Sequence, residues 1–469
     1  MARIMDVTET LWNPWLLGLF LLTGLYVSVR TGFFQLSGLS VWLRASAGSI
    51  LRPAGGRPSR GISQIQALCT ALASTIGTGS IAGVATAIWF GGPGAVFWMW
   101  LSAILSMMTG FVEKTLVICF RKRDGRGGWL CGPMYYLRDG LGSRFLAQWF
   151  ALACLCATLV GGNLVQSGSI AVALEAAFGW ERAVVGVFTA VAAALVMLGG
   201  VGRIARVSTL LVPVMALLYV GGGVMVLCLR AEELPGVLTQ IVTSALCPQA
   251  LFGSGAGYTV RTAMRYGVAR GVFTNEAGLG TSAIAHGAAE VERPGQQGMW
   301  GILEVGVSTL LVCTITALVI LVSGVYDPVQ GASGGVSPCG MGASMTTAAF
   351  SSALGGAGGA IVAVSLLLFA FSSVLGWSYY GEQCLGYLLS GGKGVGIYRG
   401  VFLLVLLVGS LWEGEAVWVL VDLCNAMMAI PNLIGVLLLS ETAVTELKNW
   451  RRTDGKKIIM KKLEKGVDF

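Results

Sequence analysis

The sequence of 469 residues is poor in charge and has almost no histidine. Only 12% of the residues are charged, about half the usual fraction of a soluble protein, whereas 55% are hydrophobic and the mean hydropathy is +0.77. Apolar stretches recur along the whole chain, which predicts a membrane protein. The single histidine, His286, excludes most histidine-based catalysis and most zinc sites. With no Cys-x-x-Cys pair and no clustered carboxylates, the chain is not expected to be an enzyme.

The apolar stretches predict an all-α membrane protein with about eleven transmembrane helices, here called spans 1 to 11. Each span is long enough, or nearly so, to cross about 30 Å of hydrocarbon at a rise of about 1.5 Å per residue. The predicted ranges are 12–29, 63–90, 93–120, 145–172, 183–201, 205–229, 260–288, 298–325, 358–388, 397–412 and 416–439. The tenth is the shortest of them.

The distribution of lysine and arginine predicts the orientation. With the N-terminus outside, 24 of the 31 basic residues lie at inside loops and in the tail, against three outside. We therefore expect an external N-terminus, a cytoplasmic C-terminus and a location in the cell membrane, as in a bacterial inner membrane. The net charge of +8 then lies against the inner leaflet and requires no nucleic acid partner.

Spans 2 and 7 carry matching glycine motifs. Gly77-Thr78-Gly79-Ser80 resembles a dinucleotide fingerprint, but no strand precedes it, so an interrupted membrane helix is favoured over a nucleotide site. The segment 278–281, Gly-Leu-Gly-Thr, repeats it 201 residues later in a span of opposite direction. This pattern predicts two inverted halves, 63–229 and 230–440, between an N-terminal segment 1–62 and a basic tail 441–469.

Interrupted helices suit a zwitterionic ligand and a small cation. Unpaired N–H groups at the start of a half-helix favour a carboxylate, and unwound carbonyls favour Na⁺ or an ammonium group. We therefore expect a small neutral amino acid to bind at the two breaks, beside the third span of each half. The candidate substrate-binding residues are Gly77, Gly79, Ser80, Gly161, Gln166, Asn275, Gly278, Gly280, Thr281, Ser373 and Trp377.

Oxygen atoms near the first break are candidates for the sodium site. The carbonyl of Ile76 and the hydroxyls of Ser372 and Ser373 supply the neutral oxygens that a hard cation prefers. Hydrogen bonds of these serines to their own helix are the alternative. Glu276 and Glu382 are candidates for gating or coupling, with structural ion pairing as the alternative for both.

Other polar groups at membrane depth leave more than one interpretation open. Glu113, Lys114 and Glu304 are compatible with inner-gate contacts or with structural pairs. His286 is compatible with proton coupling or with a satisfied buried polar group. Arg261, Arg265 and Arg270 are expected to face protein or an outer vestibule. Cys247 and Cys339 lie in the two longest outside segments, which leaves a disulfide open.

The combined motifs resemble the alanine/glycine:cation symporter family, also called sodium:alanine symporters. The resemblance covers nearly the whole chain. It rests on GTGSIAGVATAIWFGGPGAVFWMW (77–100), GGWLCGPMYYL (127–137), GYTVRTAMRYGVARGVFTNEAGLGTSAIAHGAA (257–289) and GWSYYGE (376–382). It implies a leucine-transporter-like fold of two five-helix inverted repeats, with Na⁺ driving uptake of alanine and glycine. It also implies that the substrate and sodium residues named above carry those roles.

Two other transport mechanisms and one other class remain open from the sequence. A proton-coupled or exchange-type amino acid transporter would use the same scaffold, and a transporter-like receptor would share its binding site. Neither an organic cofactor nor an obligate protein partner is expected; the lipid bilayer is the expected surrounding.

Overall fold

The computed structural model describes residues 12, 14–50, 61–125, 128–246, 260–327, 342–389, 394–412 and 416–452. Within these residues the chain is almost entirely helical. The helices of the eleven spans are, in order, Pro14–Arg30; Gln64–Thr75 with Gly79–Gly83 and Val84–Gly91; Gly94–Phe120; Arg144–Leu159 with Val160–Leu164 and Val165–Phe178; Arg182–Met197; Gly200–Leu229; Val260–Asn275 with Thr281–Gly287; Pro294–Val305 with Gly306–Cys313 and Thr314–Val322; Gly356–Leu388; Val395–Leu411; and Ala416–Trp450.

Length and composition identify some of these helices as membrane-spanning. Among the described residues, six are long and apolar enough to cross a bilayer, namely those of spans 3, 4, 6, 8, 9 and 11. The bent pair of span 2 makes a seventh, and the helices of spans 1, 5 and 10 are apolar but have only 16 or 17 residues. The protein is therefore a polytopic all-α membrane protein, and the total of eleven stays a prediction.

Spans 2 and 7 are both interrupted where glycine was expected to interrupt them. In span 2 the helix ends at Thr75 and resumes at Gly79, and its two parts are inclined by 53°. In span 7 the first helix ends at Asn275 and the second begins at Thr281. Gly278 and Gly280 have φ angles of +96° and +79°, which residues with a side chain rarely adopt, so this break depends on glycine.

The packing pairs equivalent spans of the two halves. Span 3 lies along span 8, span 4 along span 9 and span 5 along span 10. The first part of span 2 contacts the second part of span 7, and the second part of span 2 contacts the first part of span 7, as expected for spans of opposite direction. These are the contacts of an inverted repeat of five plus five helices. The breaks of spans 2 and 7 therefore lie in the centre of the bundle. The boundaries predicted between the two halves stay a prediction.

Several elements were not predicted. Short helices Leu234–Leu246 and Ala343–Leu354 lie in the two segments predicted to be outside, and Phe34–Ser37, Leu39–Ala45 and Ala47–Ile50 follow span 1. At the predicted inner end, β1 (Lys122–Arg123) pairs antiparallel with β2 (Trp129–Leu130), followed by a helical turn at Pro133–Tyr135 and a π-helical turn at Tyr136–Gly140. Spans 4 and 11 extend beyond their predicted ends. Cys247, Cys339 and the tail after residue 452 lie outside the described residues.

The outer surface of the bundle is apolar. Leu195, Leu217 and Leu404, on spans 5, 6 and 10, are more than half exposed. Exposed apolar side chains on several faces of one molecule are typical of a surface in contact with lipid. Buried polar residues concentrate instead on spans 2, 3, 7, 8 and 9, around the two breaks.

Candidate functional site

A small central cavity lies between the two breaks. About 30 Å³ of it is open to the centre of a water molecule. Of the residues predicted to bind substrate or to gate the path, six border it: Gly77, Gly79, Gly161, Gln166, Glu276 and Trp377. Ser74, Thr75, Phe273, Leu279, Val421 and Asn425 complete its wall. Residues from spans 2, 4, 7, 9 and 11 thus meet at one point.

Gln166 presents an unused acceptor to this cavity. Its Nε2 donates to the carbonyl of Gly161 at 3.3 Å, while its Oε1 is buried without a hydrogen-bond partner. A buried amide oxygen without a donor is costly, so this atom is suited to an ammonium or amide donor of a ligand. Gly161 lies in the π-helical turn Val160–Leu164, an irregularity that occurs frequently at functional sites.

Trp377 closes one side of the cavity and depends on Gly162, which was not among the predicted site residues. A Cβ atom on Gly162 would lie 2.3 Å from Cγ of Trp377, so the indole packs directly on the backbone of span 4. The ring of Tyr380 supports the indole at a centroid distance of 5.6 Å. Trp377 therefore limits the volume open to a ligand.

The hydroxyls of Ser372 and Ser373 converge with carbonyls of span 2. Ser372 Oγ lies 3.1 Å from Ala73 O and 2.9 Å from Phe369 O of its own helix. Ser373 Oγ lies 3.1 Å from Ala73 O and 3.0 Å from Ser74 O. Ile76 follows the end of the helix at Thr75 and has a ψ angle of +78°, so its carbonyl leaves the helical pattern. This cluster of buried neutral oxygens has the chemistry that Na⁺ prefers.

The remaining predicted substrate residues do not border the cavity in this structure. The backbone carbonyl of Ser80 accepts from Thr316 Oγ1 of span 8 at 2.9 Å. Asn275 accepts from the amide of Ala277 within the break. Gly278, Gly280 and Thr281 pack against the protein around the break, and Ser373 lies directly behind Gly77. Their assignment as ligands stays a prediction.

The two predicted gating residues have different surroundings. Glu276 has φ of +54°, a strained conformation for a residue with a side chain, and accepts from Thr281 Oγ1 at 2.5 Å. Glu382 forms two hydrogen bonds with Arg399, at 2.6 and 2.9 Å. Glu276 thus lies at the cavity, whereas Glu382 joins spans 9 and 10 away from it.

Glu113 of span 3 and Asn432 of span 11 form a clamp, not predicted from the sequence, that holds the second break. Glu113 Oε1 accepts from the amide of Gly278 at 2.9 Å, and Asn432 Nδ2 donates to the carbonyl of Gly278 at 2.8 Å and to Glu113 Oε1 at 2.5 Å. Tyr136 donates to Asn432 Oδ1. The N–H and the carbonyl of Gly278, which lie in the interrupted stretch, are thereby both satisfied inside the protein. The intramembrane carboxylate at 113 was the only sequence signal for this clamp.

A much larger space, here called the vestibule, opens at the predicted outer end. It measures about 820 Å³ and is bordered by the outer parts of spans 2, 4 and 9, by the helix Ala343–Leu354 and by Arg270. Phe273 borders the central cavity, and its ring lies 6.2 Å from that of Trp418, which borders the vestibule. This aromatic pair lies between the two spaces. Arg270 Nη1 lies 4.0 Å from Asp422 Oδ1.

The predicted inner end is closed by a set of contacts here called the inner latch, formed by residues 121–125 and 128–130 with 287–290 and Ile62. The guanidinium carbons of Arg121 and Arg123 each lie 3.7 Å from the ring centroid of Trp129. Arg121 donates to the carbonyls of Gly287, at 2.8 Å, and Ala289. The amide of Glu290 donates to Ile62 O at 2.9 Å. These contacts join the loop after span 3 to the end of span 7 and the start of span 2.

The helix arrangement and the site between two interrupted spans define a secondary transporter of the leucine-transporter fold. A solved structure of MhsT in complex with L-phenylalanine shares this fold with a TM-score of 0.58, covering 83% of this chain and 93% of that one at 14% identity. A solved manganese transporter of Eremococcus coleocola gives a TM-score of 0.56 at 15% identity, with 82% and 84% coverage.

The sequence comparison identifies the family. The model of the sodium:alanine symporter family matches residues 1–464, so the chain belongs to that family. A sodium/alanine symporter, AgcS, of Methanococcus maripaludis is 41% identical over 95% of this chain and 96% of its own length. A probable sodium/glutamine symporter, GlnT, of Bacillus subtilis is 36% identical over 95% and 89%. The family resemblance and the fold expected from the sequence are confirmed. The chain is a multi-pass membrane transporter of a family of sodium-coupled amino acid symporters, so Na⁺ is the coupling ion implied.

Proposed function

We propose that the protein carries alanine and glycine into the cell together with Na⁺ by alternating access. The cavity between the broken spans carries this proposal, because it joins an unused amide oxygen, a carboxylate and a limiting indole in a space suited to a small ligand. The Gln166 oxygen and the Glu276 carboxylate are suited to the substrate ammonium group. Backbone N–H groups at the start of the outer part of span 2, around Gly79, are suited to its carboxylate.

Sodium would bind at the oxygens of Ser372 and Ser373 and the carbonyls at the end of the inner part of span 2, including that of Ile76. The same stretch of span 2 borders the substrate cavity. An ion that orders this backbone therefore lowers the entropic cost of binding the substrate, which is the coupling that symport requires.

The open vestibule and the closed inner latch support an outward-facing state. Closure of Phe273 and Trp418 over the cavity, followed by opening of the latch, would then expose the ligands to the cytoplasm. The basic inner loops support the same direction, with the N-terminus outside and the C-terminus inside a bacterial cell membrane.

Uptake into proteoliposomes tests the proposal. An imposed Na⁺ gradient without a pH gradient should drive accumulation of labelled alanine, and unlabelled glycine should compete more strongly than glutamine, because Trp377 restricts the cavity. Accumulation driven equally well by a pH gradient in Na⁺-free buffer would favour the proton-coupled alternative. Exchange without net accumulation would favour an exchanger, and binding without either would favour a receptor.

The sodium assignment has its own test. Replacing Ser372 and Ser373 together by alanine removes two hydroxyl ligands, so the Na⁺ concentration for half-maximal uptake should rise by about tenfold or more. Ser378→Ala is the matched control, because this buried serine on the same span bonds only the carbonyl of Leu375, at 2.7 Å. An unchanged sodium dependence in the double variant contradicts the placement.

A further inference from the structure

A chain of buried charged and polar groups runs beside the second break, outside the central cavity. Lys114 Nζ lies 3.5 Å from Glu113 Oε2 and 3.3 Å from Glu304 Oε2, and Glu304 Oε2 lies 3.1 Å from His286 Nε2. The side chains of Glu113, Lys114, His286 and Glu304 are all fully buried. The proposed symport does not use His286 or Glu304, so their burial needs another explanation.

The surroundings of His286 satisfy the imidazole in two protonation states. Gln297 Nε2 lies 2.5 Å from His286 Nδ1, while Gln297 Oε1 is buried without a hydrogen-bond partner. In this arrangement Gln297 donates to Nδ1, and the neutral ring donates from Nε2 to Glu304. Rotation of the amide by half a turn brings Oε1 to Nδ1, where it accepts from a doubly protonated ring and gains the partner it lacks.

The charges of these buried groups favour an added proton on His286. One buried ammonium group, that of Lys114, is shared between two buried carboxylates, those of Glu113 and Glu304. Buried charge is costly unless it is fully paired, and a proton on the imidazole gives Glu304 a second cationic partner, in hydrogen-bond contact, besides the shared Lys114. We propose that His286, Glu304 and Gln297 form a site for one proton, separate from the sodium and substrate sites.

This site is connected to the second break through two routes. His286 lies on the helix Thr281–Gly287, which begins directly after the break. Glu304 contacts Lys114, whose other partner is the Glu113 carboxylate that holds the Gly278 amide. Gain or loss of a proton at His286 therefore changes the electrostatic balance of the groups that hold span 7 in its interrupted form. The proton site regulates the transport cycle through this connection.

Other ionisable groups lie on the elements packed against the His286 helix. They are Glu304 on span 8; Glu113, Lys114 and Cys119 on span 3, with Arg121 directly after it; Cys69 on span 2; Glu276 in the break; Cys131 and Tyr135 after the inner hairpin; and Tyr379, Tyr380, Glu382, Cys384 and Tyr387 on span 9. Of these, Glu304 is the group in direct hydrogen-bond contact with the imidazole. The test therefore follows His286 itself.

Nuclear magnetic resonance can follow this site without transport, because the chain has a single histidine. The full-length protein labelled with ¹⁵N-histidine, without a histidine tag, should show one imidazole that changes from singly to doubly protonated as the pH is lowered from about 8.5 to about 5. In Glu304→Gln the doubly protonated fraction at the lower end should fall at least about threefold. Glu441→Gln, the same change at an exposed carboxylate, should match the wild type.

An imidazole that stays singly protonated over this whole range in the wild type overturns the proposal, whether or not Glu304→Gln folds. The regulatory part rests on the proposed function and has a separate readout. Sodium-driven alanine uptake at equal pH on both sides should change over the pH interval in which the imidazole titrates, and His286→Gln should lose that dependence.

The two failures are distinguishable. An unchanged pH dependence in His286→Gln overturns the regulatory part of the proton site. An absence of alanine uptake at every pH, with an imidazole that still titrates, overturns the proposed function and leaves the proton site in place.

Discussion

At the scale of single residues, the cavity is determined as much by missing side chains as by present ones. A Cβ atom at position 77 would lie 2.7 Å from Ser373 Oγ, and one at position 162 would clash with the indole of Trp377, so both positions require glycine. Span 9 can approach spans 2 and 4 this closely only because these residues are small, which is a common way for membrane helices to pack closely. Small changes in volume at these positions should therefore affect transport strongly.

Gly162→Ala tests this dependence. The added methyl group would displace the indole of Trp377, so alanine uptake should fall by about tenfold or more, as overpacking at a cost of about 1–3 kcal/mol implies. Gly18→Ala on span 1 is the control, since a Cβ there meets nothing within 4 Å. Equal uptake by the two variants would show that Trp377 does not need its position against span 4.

At the scale of elements, each break is held by spans outside its own helix. Span 9 holds the first through Ser372 and Ser373, and spans 3 and 11 hold the second through Glu113 and Asn432. An interrupted membrane helix exposes polar backbone that must be satisfied by its neighbours. The breaks are therefore parts of a network of spans, and a change in a distant span can alter the site.

Asn432→Ala should weaken the second break. It removes the donor to the Gly278 carbonyl and leaves buried acceptors unsatisfied, at a cost of about 1–3 kcal/mol. Thermal unfolding of purified protein should therefore begin at a lower temperature than in wild type. Ser440→Ala, on the same span and bonded only to Leu437 O at 2.8 Å, should change the unfolding temperature less. The reverse order would contradict the clamp.

Trp129→Ala should loosen the inner latch. Two cation–π contacts of about 0.5–2 kcal/mol each are lost, so amide hydrogen exchange in the segments 121–130 and 287–290 should become faster. Trp15→Ala is the control, because this tryptophan is 83% exposed on span 1. If exchange in both segments stays as slow as in wild type, the stack does not close this end.

The sequence predicted the elements that repeat a local pattern and missed those that depend on distant contacts. The glycines at 77–80 and 278–281 indicated both breaks, because backbone freedom is a local property. Gln166 and Trp377 were also expected at the cavity. The clamp at Gly278 was not predicted, because it joins residues 113, 278 and 432, whose proximity depends on packing. Ser80 was expected to bind substrate but does not border the cavity, because its surroundings depend on the packing of span 8, which a local pattern does not show.

At the scale of the whole molecule, the predicted orientation determines which end of the bundle faces the cytoplasm and which faces the exterior. The latch lies at the end with most of the basic residues, and the vestibule lies at the opposite end. A fluorescent protein fused after Phe469 should therefore fluoresce in cells, and alkaline phosphatase at the same position should be inactive, because the C-terminus is expected in the cytoplasm. Active phosphatase at this position would reverse the orientation and make the vestibule face inward.

The difference in size between the vestibule and the cavity has a consequence for pharmacology. A molecule far larger than an amino acid can enter the vestibule without fitting into the central cavity on the other side of Phe273 and Trp418. Wedged there, it would keep those aromatic rings from coming together and arrest the carrier in one state. With the predicted orientation, an inhibitor of this kind would act from the cell exterior, would never need to be transported, and could be selected for bulk instead of likeness to the substrate.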